Sequence, residues 1–106
     1  MSLDITLTVG KREVFGANIT HNLNTMAKKA GLYFAMWRPE VLDAFKAQDI
    51  VAPLEAGVAL LRSDPAHFKV FNPSNGWGTY ENLLSVAEDY LAACKRYPKA
   101  KIHADR

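Results

Sequence analysis

The sequence predicts an α+β domain, on three observations. Residues 3–9, LDITLTV, alternate strictly between apolar and polar, the period of a half-buried strand. Residues 80–94 repeat apolar groups at helical spacing. Turn chemistry separates such segments throughout, with no internal repeat and no low-complexity linker. The expected architecture is a small antiparallel sheet, an N-terminal hairpin plus a C-terminal strand, with three to four helices packed on one face.

In the first segment Leu3, Ile5, Leu7 and Val9 share one face, and Asp4, Thr6 and Thr8 share the other. Gly10-Lys11 supplies a turn, and Arg12 to Thr20 return as a second strand carrying Val14, Phe15, Ala17 and Ile19. Gly16 marks a candidate bulge. The period then changes: Leu23, Met26, Ala27 and Ala30 form a helical face, capped by Thr20 or Asn22. Gly31 breaks that helix, and LYFAMW continues as an apolar turn or short helix stopped at Arg38-Pro39. A short helix over 39–48 would place Val41, Leu42 and Phe45 together. Asp49 looks like the cap of a further helix bearing Ile50, Leu54, Val58 and Leu61, with Pro53 in its first turn. Ser63-Asp64-Pro65 closes it and opens a turn, AHFKVF. The last helix carries Tyr80, Leu83, Leu84, Ala87, Tyr90, Leu91 and Cys94 on one stripe. Thr79 is its N-cap, with Asn82 where a capping box would want Glu or Gln. Tyr97-Pro98 ends it, and 101–103 add a terminal strand.

Composition bounds the function. The chain has 106 residues, 49% hydrophobic and 23% charged, which is the profile of a single globular domain spanning 1–106. No apolar run approaches the ~20 residues of a membrane span, and the N-terminus lacks a secretory signal pattern. One cysteine, Cys94, excludes an internal disulfide and a cysteine metal cage, so a reducing, cytoplasmic setting is expected. A net charge of +2 with scattered basic residues argues against a nucleic-acid polymer as partner but suits a small anionic ligand.

The stretch FNPSNGWGTYEN, residues 71–82, sets Trp77 between Gly76 and Gly78 just ahead of the last helix. Glycines let a partner approach the backbone, Asn72 and Asn75 suit turns, and the helix N-terminus offers a positive dipole end. Together these residues suit stacking of a base and holding of a phosphate. The plainer reading folds Trp77 back over the core, the commoner fate of a large aromatic. Asn18, His21, Asn22 and Asn24 form a second polar cluster where strand passes into helix; a histidine there is more often a hydrogen-bonded structural group. Trp37-Arg38 is a third candidate, Arg38 being either a fork for phosphate or carboxylate or the partner of Glu40 or Asp43. His21, His67 and His103 have no metal-ligand spacing, and no nucleophile or phosphate-loop motif occurs, so neither a catalytic nor a metal residue is assigned and no cofactor is expected. Cys94 on the apolar stripe reads as core.

Taken together, NITHNLNTMAKKAGLY, WRPE and DIVAPLEAGVALLRSDPAHFKVFNPSNGWGTYENLLSVAEDYLAACKRYP resemble a family of small proteins found widely in bacteriophage genomes. In that family an ITHNL-like, a WRP-like and an NGWGTYE-like segment recur in this order. The resemblance covers nearly the whole chain, although the ending ADR departs from it and no site is placed there. In size and pocket chemistry the chain is further similar to anti-defence sponges that sequester nucleotide signals such as the cyclic ADP-ribose-like messengers of Thoeris systems. The resemblance implies a non-enzymatic homo-oligomer in the host bacterial cytoplasm that binds a small nucleotide-derived ligand. It points to Asn18, His21, Asn22, Trp37, Arg38, Asn75, Trp77, Thr79 and Tyr80, converging on one pocket. The alternative is a protein-binding inhibitor of a host defence or metabolic enzyme using the same aromatics as anchors. A nucleotide-cleaving enzyme with His21 as base ranks last, since no second catalytic group stands near it in sequence.

Overall fold

Strand β1 (Ser2–Val9) is central in a computed structural model that describes residues 1–106. It pairs antiparallel with β2 (Arg12–Thr20) on one side and with β3 (Lys101–Asp105) on the other, giving the order β2-β1-β3. The alternation read from the sequence sets the register: Leu3, Ile5 and Leu7 are buried beneath the helices, while Asp4 stands opposite Asn18 on the outer face. The bulge lies elsewhere than expected. Gly16 pairs regularly with Thr6, and the register slips between Leu7 and Thr8, where Val14 is the extra residue. A bulge needs an unpaired position rather than a glycine.

One face of the sheet carries α1 (Asn24–Lys29), α2 (Tyr33–Trp37), α3 (Val51–Ser63), α4 (Pro65–Lys69) and α5 (Tyr80–Arg96). The α+β class and the C-terminal strand are as the sequence predicts, with five α-helices where three to four were expected. The added element is α4. Asp64 Oδ1 accepts from the His67 backbone N–H at 3.2 Å and Pro65 occupies the first helical position, so AHFKVF begins as a helix and not a turn.

Two other expectations change. Residues Pro39–Leu42 form a 3-10 turn ended by Asp43 in the left-handed region (φ 52°), so no α-helical face develops there. Val41, Leu42 and Phe45 are exposed as a result. Asp49 does not cap α3. Its carboxylate accepts from the backbone N–H groups of Phe45 (3.2 Å) and Lys46 (3.1 Å), holding that segment beside β3, where Ile102 N–H donates to Phe45 O.

The core is one cluster drawn from every layer, including Ile19, Leu23, Met26, Leu54, Leu61, Leu83 and Ala87. Phe15 of β2 stacks on Tyr90 of α5 with ring centroids 5.6 Å apart. Tyr90 Oη is buried without a hydrogen-bond partner, a cost of about 1–3 kcal/mol that the packing of its ring offsets. Cys94, also enclosed, has its thiol pushed up to about 12 by burial, which keeps it protonated at neutral pH and makes it a core residue, as its position on the stripe suggests.

Candidate functional site

The ITHNL segment is a hub for both other motif segments. Thr20 Oγ1 accepts from the Asn22 backbone N–H (3.2 Å), turning the chain out of β2 into a 3-10 turn at His21–Leu23. The His21 backbone N–H donates to Met1 O. The His21 ring then reaches inward, where its Nδ1 accepts from Trp37 Nε1 at 2.9 Å. An accepting Nδ1 places the proton of the neutral ring on Nε2.

Trp37 is only 1% exposed. Its ring stacks on Tyr33 at 5.9 Å and 12°. Tyr33 in turn lies under Lys28 Nζ (4.7 Å), and its hydroxyl accepts from Arg38 Nε at 3.0 Å. That hydrogen bond is the first reason the Arg38 pKa is raised. Arg38 therefore pairs with neither acid offered to it by the sequence. Glu40 is taken by Arg106, whose Nη1 also donates to Trp37 O (2.9 Å), so the ADR ending closes over this cluster.

The 71–80 loop is built from its asparagines. Asn75 Oδ1 accepts from the Trp77 backbone N–H (3.0 Å) in an Asx turn. Asn72 Oδ1 accepts from Tyr80 N–H (2.8 Å). Asn82 Oδ1 accepts from Thr79 N–H (2.9 Å) while Asn82 N–H donates to Thr79 Oγ1, a capping box in which Asn replaces Glu. Gly78 has φ 98°, and a Cβ there would lie 2.7 Å from Thr20 Cγ2 and 3.0 Å from Leu23. The glycine thus serves both a left-handed backbone and close contact with the ITHNL segment. Tyr80 is buried and donates from Oη to Leu61 O at 2.6 Å.

Trp77 itself is 71% exposed. The reading in which it folds back over the core is overturned, because the Asx turn and the two left-handed glycines hold its backbone away from the interior.

The three motif segments do meet, through His21–Trp37 and through Gly78 against Thr20 and Leu23, but around packed side chains rather than a hollow. The expected shared pocket is corrected on that ground. Asn18 lies apart, on the outer sheet face, donating to Ser2 Oγ (2.9 Å) and Asp4 Oδ1 (2.7 Å). The Asn22 side chain is exposed. The helix N-terminus is also already filled: Asn72 and Thr79 accept from Tyr80 and Asn82 N–H, and the Glu81 carboxylate bonds its own backbone N–H, which holds its pKa below the ordinary value. Three acceptors, one of them negative, leave that dipole end unsuited to phosphate.

The concavity that does exist lies elsewhere. It is a groove of about 210 Å³ between α3 and α5, lined by Val58, Arg62, Glu88, Leu91, Ala92 and Lys95. Periodicity gave no hint of it, since Val58 and Leu91 read as members of two separate apolar stripes whose edges meet only in the folded chain. No set of three His, Cys, Asp or Glu side chains is arranged to hold a metal ion, and no helix is long and apolar enough to cross a membrane. Comparison with family models, curated proteins and solved structures found no match.

Proposed function

We propose that the chain is a non-enzymatic binding protein whose recognition element is the Trp77 loop, and that its partner is another protein. The observation that carries this reading is an indole 71% exposed at the tip of a loop whose backbone is held by three asparagine side chains. A loop backbone ordered before binding loses little freedom when it docks, and exposed aromatic anchors dominate protein–protein hot spots. Val70 is exposed nearby in sequence, Lys29 lies over the Phe71 ring (5.7 Å), and Lys69 lies beside Tyr80. Lys69 is already paired with Glu81 at 3.4 Å, so the complementary surface is an apolar pocket, and a host defence or metabolic enzyme is the partner class the phage resemblance suggests.

The test is capture from bacterial lysate on immobilised protein, with Trp77→Ala alongside. A stoichiometric protein partner retained by the native chain and lost with Trp77→Ala is expected; the same protein set on both columns would sink the reading.

Sequestration of a nucleotide-derived signal is the second reading, favoured by the open face of the same indole, since stacking on an aromatic contributes about 1–3 kcal/mol per base. Calorimetric titration with cyclic ADP-ribose isomers separates the two: heat abolished by Trp77→Ala supports sequestration, and heat absent across the panel removes it.

A further inference from the structure

We infer that the face built by α3 and α5 is a self-association surface, and that its occupant is a second copy of this chain. The two helices carry the same eight-residue pattern on the side that forms their groove. In α3 it reads EAGVALLR, residues 55–62, and in α5 it reads EDYLAACK, residues 88–95. Glu55 corresponds to Glu88, Val58 to Leu91, Ala59 to Ala92, and Arg62 to Lys95. In each helix the acid and the base stand seven residues apart, two turns or about 10.5 Å along the axis.

The helices run antiparallel, so each acid faces the other helix's base. Arg62 pairs with Glu88, and Lys95 Nζ lies 3.4 Å from Glu55 Oε2. The four charges therefore occupy the corners of a rectangle with alternating sign, around a floor of Val58 and Leu91. Ala59 and Ala92 sit midway along the two long sides, are exposed, and project too little to hold a second layer off.

An alternating rectangle has a definite electrostatic property. Turned over onto a copy of itself about a two-fold axis in its own plane, along or across the helices, it brings every charge opposite one of the other sign. A two-fold interface requires such self-complementarity, and like charges facing one another would oppose it. Arg62, Lys95 and Glu55 side chains remain more than half exposed, so they can gain a second partner without surrendering the first.

The extent of the face sets the strength. α3 is 13 residues long, and a 13-residue helix is about 20 Å long. Two helices side by side, each about 10 Å wide, cover roughly 400 Å² per copy, half the ~800 Å² of a standard interface. The association is thus weak, reversible and sensitive to salt, because exposed charges are screened.

Sedimentation equilibrium on the full chain, across roughly 10–500 μM so that a weak dimer is populated, is the test. A monomer–dimer equilibrium is expected, weakened about tenfold or more on passing from ~0.05 M to ~0.5 M salt. Ala92→Glu, at an exposed helical position, should abolish the dimer with the circular dichroism spectrum unchanged. Glu55→Lys with Glu88→Lys makes all four corners positive and should also leave monomer. Adding Arg62→Glu and Lys95→Glu to that pair restores the alternation with signs inverted and should restore the dimer. Trp77→Ala should dimerise like the native chain, which keeps this surface separate from the recognition loop. A native chain monomeric over the whole range, as expected if the groove takes a small molecule or a foreign helix, overturns the inference. So does a dimer indifferent to Ala92→Glu, or one that the quadruple reversal fails to restore.

Discussion

Trp37 and Trp77 are the same residue type in the same molecule, and they have opposite fates. Trp37 follows an unbroken apolar run, LYFAM, whose helix turns its ring inward, where His21 accepts its N–H and Tyr33 stacks against it. Trp77 sits between two glycines in left-handed conformations, after an asparagine that spends its side chain on the turn. Hydrophobicity cannot separate the two, since the side chains are identical. What separates them is the backbone each is mounted on. A helix with an apolar face delivers a tryptophan to the core, while a self-bonded loop keeps one out of it.

The largest effect should follow from the buried member. Trp37→Ala removes an enclosed ring and leaves His21 Nδ1 without its donor, so denaturant unfolding should show a loss of about 3–5 kcal/mol. A loss below 1 kcal/mol would mean that the ring is not part of the core. Gly78→Ala attacks the seam between the two regions, forcing a left-handed alanine whose methyl meets Thr20 and Leu23; about 1–3 kcal/mol of destabilisation is expected in the same assay. Trp77→Ala sharpens the contrast by leaving stability within about 0.5 kcal/mol, as for other exposed substitutions. In fluorescence, the Trp37→Phe chain should emit at long wavelength and be readily quenched by iodide, whereas the Trp77→Phe chain should be shielded.

The smallest effect concerns pH, and it touches both regions. Glu40, beside Trp37, and Glu81, at the start of α5, are each held below their ordinary value of 4.5, first by their own backbone N–H and then by Arg106 and Lys69 respectively. A carboxylate with a lowered folded value contributes stability that is fully present above 4.5 and is lost as the pH falls through that folded value. Unfolding midpoints should therefore decline slightly below pH 4.5, and Glu81→Gln should flatten part of the decline.

Much of the frame was legible because its signals are periodic. The alternation of residues 3–9 became a central strand, and the 80–94 stripe became the longest helix. What the sequence hid were effects of a single residue. Asp43 in the left-handed region cut short the face expected of Val41, Leu42 and Phe45. Asp64, read as a stop for one helix, also started the next. The residues read as ligand-binding carry structural duties instead: Asn75 and Thr79 satisfy backbone, Tyr80 bonds Leu61, and His21 serves Trp37. No site was expected at Arg106 because the ending ADR departs from the resemblance, yet it bonds Trp37 O and Glu40. The matching octads of α3 and α5 become meaningful only once the helices lie side by side.

The placement of β1 between β2 and β3 has a consequence for how the molecule is made. Asp4 pairs with Asp105, so the middle strand of the sheet emerges first from the ribosome and receives its second neighbour last. Pairing over such a separation in sequence is slow to form. Until it forms, one margin of β1 presents bare amide and carbonyl groups beside Leu3, Ile5 and Leu7, an adhesive edge of the kind that seeds aggregates. Polypeptides cut short before Lys101 should accordingly accumulate as insoluble material.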